Sequence, residues 1–247
     1  MSVLGVPIDV VDPRQALMRM AAWAMAKESR VVCACNVHSV VTAQNDSRFM
    51  AAIVQADLAT ADGAPVAWLM RQQGAKTQRR VCGPDLMWSY CSHAAAINEP
   101  IYLYGSTQAT LLALQARLHK RWPSLLVAGA YAPPFRSLTE EEDIAVVEAI
   151  NNSGARTVWV SLGCPKQELW MAQHRGRIHA VMVGVGAATD FHAGTLSRAP
   201  IWMQNNGLEW LFRLASEPRR LSRRYLTTNT AFLWAAARQW LGGKQTR

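Results

Sequence analysis

Six short apolar runs limit how this chain can fold: Arg30–Cys35, Leu58–Ala61, Ile101–Tyr104, Leu125–Ala130, Thr157–Leu162 and Ala180–Val183. None shows the polar alternation of a strand with one face in water. Strands that lack it are covered on both faces, which is the mark of a mostly parallel sheet. Val3–Val11 reads as a further, looser strand. Between the runs lie predicted helices. Ala16–Lys27 follows the helix start Asp12-Pro13, and Val37–Ala56 is broken near Asn45-Asp46. Val66–Gln73, Pro84–Ile97, Gln108–Trp122 and Pro165–Arg175 follow, with another from Thr139 to Asn151 opened by a Thr139/Glu142 capping box. Short strands alternating with helices predict an α/β, Rossmann-like fold, a mostly parallel sheet covered by helices. The composition changes near Pro200. The expected division is an α/β body over 1–199 and a helical, membrane-associating appendage over 200–247.

Half of the 247 residues are hydrophobic and only 17% are charged, which suits a folded core and excludes a disordered chain. The five cysteines form no C-x-x-C pair. That argues for a reducing compartment and against a disulfide framework or structural zinc. No secretion pattern opens the sequence, and no run of eighteen apolar residues is present. The expectation is a cytoplasmic protein whose membrane contact, if any, is peripheral.

In open parallel sheets the ligand crevice lies beyond the carboxyl ends of the strands. Here those ends read Asn36, Asp62, Gly105, Gly163 and Gly184, so these five are expected to face one cleft. Asp62 has two readings: a base that accepts a proton from a hydroxyl, or the N-cap of the helix starting at Ala64. Asn36 either orients a sugar hydroxyl or caps the helix after it. Gly184-Val185-Gly186 is a turn that lets backbone approach a ligand, with the lone acid Asp190 behind it. It is not a dinucleotide fingerprint, because Thr189 stands where the third glycine belongs and Asp190 comes too early for the ribose acid. No nicotinamide or other cofactor is therefore expected. Gly163 to Glu168 is a loop entering a helix, either a phosphate cradle or an ordinary turn. The histidines show no ligand spacing, and His174 and His179 read as surface residues. No Asp-x-Asp occurs, so no metal site is expected and a departing diphosphate would rely on cations or helix ends.

The cations lie in the tail. Residues 207–247 hold eight Lys/Arg against two Glu, six of the nine net positive charges. Arg213, Arg219, Arg220, Arg223 and Arg224 fall within twelve residues, interleaved with Trp202, Trp210, Phe212, Tyr225, Phe232, Trp234 and Trp240. After Pro200 this reads as an apolar, tryptophan-rich helix. Arginines with aromatics suit an anionic membrane surface. The alternative is a solvated helix packing its rings on its own domain. The apolar face is too continuous for nucleic acid.

Ordered blocks along the chain carry a resemblance: Asn36 after its strand, Ala56-Asp57 with Asp62-Gly63, Arg80 to Leu86, and Gly163-x-Pro165-Lys166-Gln167-Glu168. Further blocks are Gly184 to Ala187, Asp190-Phe191, Ala193-Gly194, Arg198-Ala199-Pro200, Gly207 to Leu211 and Glu217 to Arg220. The chain resembles the WecG/TagA/CpsF glycosyltransferases, glycosyltransferase family 26, over nearly its whole length. The resemblance implies an inverting, metal-independent enzyme. It would move a hexosyl group from a UDP-sugar to a polyprenyl-diphosphate-linked saccharide at the cytoplasmic membrane face. The donor would be of the glucose or the N-acetylmannosamine type, and the polymer an envelope polysaccharide or exopolysaccharide. By position it implies Asp62 as general base, Asn36 on the sugar, Arg80 and Gln167 in the donor pocket, and Arg213, Arg220 and Arg223 over the diphosphate. Homo-oligomers are also implied. Ala34 stands where the family commonly has Thr, and Thr189 where the residue is often aromatic. The alternative is a non-catalytic membrane or nucleic-acid binding protein that keeps the fold.

Overall fold

The computed structural model describes residues 1–242, without the side chains of Arg224 and residues 239–242. The end of the segment expected over 200–247, and the Trp240 ring, lie outside that description. The chain opens with a small antiparallel hairpin, β1 (Ser2–Val3) with β2 (Val6–Pro7). The single strand expected over Val3–Val11 is thus folded back on itself. Leu4 (φ 52°) and Gly5 (φ 89°) take left-handed backbone and turn the chain there.

The main sheet has six strands: β3 (Arg30–Cys35), β4 (Leu58–Ala61), β5 (Ile101–Gly105), β6 (Val127–Tyr131), β7 (Thr157–Ser161) and β8 (Val181–Gly184). Their order is β4-β3-β8-β7-β5-β6, and every neighbouring pair is parallel. Successive side chains on a strand point to opposite faces. Val31, Cys33 and Cys35 enter one core while Val32 enters the other, and Val158 and Val160 are likewise split from Trp159. Two apolar layers, one per face, are why the strands carry no polar alternation.

Helices cover both faces. They are α1 (Pro13–Met25), α2 (Val37–Asn45), α3 (Ser47–Val54), α4 (Ala64–Gln72), α5 (Gly83–Ala96), α6 (Gln108–Arg121), α7 (Glu140–Asn152) and α8 (Lys166–His174). The expected break before α3 occurs at Asp46, whose carboxylate accepts the N–H groups of Arg48 and Phe49. The Thr139/Glu142 capping box opens α7. A short helix that the sequence did not announce, α9 (Ala188–Ala193), follows the glycine turn. His174 is buried, not on the surface as expected. Its ring stacks on Trp170 at 4.0 Å and its Nε2 lies 2.8 Å from the Asp143 carboxylate.

After Pro200 come three helices rather than one: α10 (Ile201–Asn205), α11 (Glu209–Ser216) and α12 (Pro218–Gly242). Gly207 (φ 71°) breaks the first from the second, and Pro218 restarts the chain as the third. α12 lies against α2 and buries Leu221, Phe232 and Ala236. The tail aromatics therefore divide: Phe232 joins the core, while Trp202, Trp210 and Trp234 stay exposed.

Gly105 ends β5 at φ 108°, and a Cβ there would sit 2.4 Å from the Ser161 carbonyl oxygen. Neither the conformation nor the space admits a side chain. Gly105→Ala is expected to lower stability by roughly 3 kcal/mol or more, read as a drop in the urea unfolding midpoint.

Candidate active site

The carboxyl ends of four adjacent strands, β4, β3, β8 and β7, open into a cavity of about 460 Å³. Asn36, Asp62, Gly163, Gly184 and Gly186 line it, together with Arg80 and Gln167. Its far wall comes from α11 and α12, which contribute Arg213 and Arg220 alongside Trp210, Tyr225, Phe232 and Leu233. Eight of the eleven candidate site residues are thus brought to one cavity. Asp57, in contrast, lies at the amino-terminal end of β4, the end away from the cavity. It receives hydrogen bonds from Arg30, Arg175 and the Val31 N–H, which is structural work.

Three candidates lie outside the lining. Gly105 sits at the end of β5, which is separated from β8 by β7, and its missing side chain serves the close approach to Ser161. The expectation that five strand ends share one cleft is corrected to four. Asp190 opens α9 and turns to the loop beyond it, where Thr195 donates to its backbone and side-chain oxygens at 3.2 and 3.5 Å. Arg223 is exposed on α12, three residues past Arg220, which lines the cavity.

The two readings of Asp62 separate cleanly. The N-cap of α4 is Gly63, with no side-chain cap bond, so Asp62 is not spent on the helix. Its half-buried carboxyl is pushed up to about 7, chiefly by loss of water. The nearby Glu209 carboxylate adds to the rise, while Arg80, Arg213 and a hydrogen bond from Asn36 pull it back. A carboxyl in that range accepts a proton readily near neutral pH. The capping reading of Asn36 holds. Its Oδ1 accepts the Ser39 N–H at 3.2 Å and caps α2, and its amide nitrogen remains for Asp62.

Gln167 is buried with both ends committed. Its Oε1 accepts the Gly186 N–H at 3.0 Å and its Nε2 donates to Glu168 at 2.9 Å. Gly184 packs onto it so closely that a Cβ would lie 3.0 Å from its Nε2 and 2.8 Å from Met171 Cε. The glycine turn is thus held by side chains from α8, and its backbone forms part of the cavity wall. Thr189, in the expected glycine position, is buried and pairs with Ser161 at 2.6 Å.

A model of the glycosyl transferase WecG/TagA/CpsF family matches residues 1–246. The chain belongs to that family. It is therefore a sugar transferase, with a sugar donor and an acceptor as its substrates. Its cavity is lined by Asp62, with raised proton affinity, and by Arg80, Arg213 and Arg220. Among the described residues no group of three or more His, Cys, Asp or Glu is placed to hold a metal ion. Among those residues, too, no helix is long and apolar enough to cross a membrane.

Sequence reading missed two members of the site. Glu209 receives the Arg80 Nη1 hydrogen bond at 2.7 Å, although only its sequence block had drawn attention. Glu168 lines the cavity at 1% exposure, its Oε2 without a hydrogen-bond partner and its carboxyl pushed up to about 7 by burial. A long-range carboxylate–arginine pair leaves no local spacing to find.

The folded state holds the Glu168 proton until about pH 7, whereas an unfolded Glu releases it near 4.5. Its contribution to stability is present at low pH and is lost as pH climbs through that window. Glu168→Gln keeps an acceptor for Gln167 and removes the ionisation. It is expected to raise Tm at pH 8, by the equivalent of at most roughly 3 kcal/mol, and to give no gain at pH 4, as read by calorimetry.

Proposed function

We propose that this transferase moves a hexosyl group from a UDP-sugar to a saccharide carried on a polyprenyl diphosphate, with inversion at the anomeric carbon. The observation that carries the reading is Asp62, a carboxyl not used as a helix cap, with raised proton affinity in a cavity shared with Arg80, Arg213 and Arg220. The acceptor hydroxyl attacks the anomeric carbon on the face opposite the nucleotide. The new C–O bond takes its electron pair from that hydroxyl, whose proton passes to Asp62. The bond to the diphosphate breaks and UDP leaves with the pair. General-base assistance of this kind contributes about 10²–10⁴-fold.

The charge that grows on UDP needs fixed positive partners, and arginine suits phosphate through paired N–H donors. In this proposal Arg80, Arg213 and Arg220 supply that charge and the departure is metal-independent. Asn36, Gln167, Gly184 and Gly186 stand on the sugar side, with Gln167 acting through the glycine turn it holds. Gly105, Asp190 and Arg223 drop out of the contact set.

The acceptor is a lipid, and the exposed side chains of residues 200–238 suit a lipid interface. Ile201, Trp202, Trp210, Leu211, Leu226, Leu233 and Trp234 are exposed there beside Arg219, Arg220, Arg223 and Arg238. The Arg238 guanidinium lies 3.5 Å from the Trp234 ring centre. Rings at headgroup depth with cations on lipid phosphate describe a protein that rests on an anionic leaflet. We take residues 200–247 as a membrane-facing appendage on a catalytic body of 1–199, acting at the cytoplasmic face. The donor is of the glucose or N-acetylmannosamine type, and the product an envelope polysaccharide or exopolysaccharide precursor.

The test is UDP release from a panel of UDP-sugars with a synthetic polyprenyl-diphosphate saccharide, with and without EDTA. Turnover in EDTA with one donor and an inverted product is the expected result; binding without turnover for every donor would reject it. Asp62 must be ionised to act, so kcat/KM is expected to rise with pH to a plateau above about 7. Asp62→Asn is expected to fold as wild type and lose about 10²-fold or more in kcat, measured by the same release assay. Arg213→Ala is expected to lower kcat by roughly 10- to 100-fold without changing the unfolding midpoint by more than a small amount.

A further inference from the structure

Four charged side chains close a ring beside the cavity. Arg80 Nη1 donates to Glu209 Oε2 at 2.7 Å, and Arg198 Nε lies 3.6 Å from the other Glu209 oxygen. Arg198 Nη1 also donates to Asp85, and Asp85 Oδ2 lies 3.7 Å from Arg80 Nη2. Signs alternate around the ring. Arg80, Asp85 and Arg198 precede Pro200 in the chain; Glu209 alone follows it. Arg80, Arg198 and Glu209 are each only 20% exposed, so water screens the Glu209 side of the ring weakly, while Asp85, 54% exposed, sits on the wet side. A second set of bonds points the same way: Arg80 Nη2 reaches Gln204 at 3.5 Å, and Gln204 donates to the Ala199 carbonyl at 2.7 Å.

Glu209 is the first residue of α11, where a carboxylate suits the helix dipole. Arg213 is four residues on, one turn along the same face. It lines the cavity with its guanidinium 5.5 Å from the Phe191 ring centre. Arg213 Nη2 also lies 3.7 Å from Glu217 on the next turn, so seating α11 through Glu209 carries Arg213 and that partner into place together. We propose that Glu209 is a positioning residue: by bridging Arg80 and Arg198 it docks α11 on the α/β body, aims Arg213 into the cavity and holds Arg80 away from an ion pair with Asp62. This rests on the functional reading above.

Removing the charge of Glu209 leaves two arginines with one acid, and Arg80 becomes free to favour ionised Asp62. The sign follows from the groups that face Asp62. Glu209 raises its proton affinity; Arg80, Arg213 and the Asn36 hydrogen bond lower it. The Cys35 and Cys82 thiols nearby are pushed up by burial and stay neutral. His38, Glu168 and Arg220 line the same cavity and are unchanged by the substitution. Without the Glu209 charge, Asp62 ionises at lower pH.

Two variants test this in the full chain. Glu209→Ala is expected to speed hydrogen exchange across residues 209–216 while leaving β3 and β8 as protected as in wild type. Glu209→Gln is expected to move the acid limb of kcat/KM to lower pH and to cut its plateau by roughly 10- to 100-fold through misplaced arginines. Unchanged exchange in α11 overturns the proposal. Faster exchange with the acid limb at the wild-type pH reduces Glu209 to a brace and overturns it equally. If wild type turns over no UDP-sugar, the functional reading fails, and the exchange measurement still decides whether Glu209 seats α11.

Discussion

The structure depends on one carboxyl group being taken partly out of water at the end of a buried strand. Asp62 reaches that place because β4 pairs only with β3, and the register puts its strand end beside that of β3. An acid so placed raises its own proton affinity, and the surrounding charges then adjust it. Glu209 pushes one way, Arg80 and Arg213 the other. The balance leaves a group near neutrality, where a base is most useful. In the proposed reaction the same arginines partner the departing diphosphate. On the function proposed above, one set of side chains tunes the base and receives the leaving group.

Much of the fold was legible from residues alone. β3 and β4 begin and end where their apolar runs do, because burial on both faces writes an unbroken signal into sequence. The break at Asp46 and the capping box at Thr139 were legible because capping is local chemistry. The N-terminal hairpin was not, since a turn through Leu4 and Gly5 interrupts no hydrophobic pattern. α9 was hidden for a similar reason: six residues after a glycine turn offer too short a period. The three helices after Pro200 read as one although Asn206-Gly207 is a turn-type pair, because the tryptophan-rich apolar pattern resumes directly after it.

The site was legible where it follows strand ends and obscure where it depends on strand order. Asn36, Asp62 and Gly184 announced themselves as the polar or small residues closing apolar runs. Gly105 carried the same signature, and only the sheet order shows that it closes a strand too far from β8 to take part. His174 looked like a surface residue because its partners, Asp143 and Trp170, belong to a packing arrangement rather than a spacing. Arg80 and Glu209 are 129 residues apart, and no periodicity connects them.

Asn36 has a consequence for what evolution or an engineer can place at that position. Of the side chains that start a helix well, Ser and Thr offer a hydroxyl and Asp offers only oxygens. Asn alone presents an oxygen to the backbone and a nitrogen that can face an anion. An Asp there would keep the helix and set a second negative group against Asp62; a Ser would keep it and fall short. Two neighbours with opposite demands, one amide N–H and one carboxylate, leave a single residue type that satisfies both.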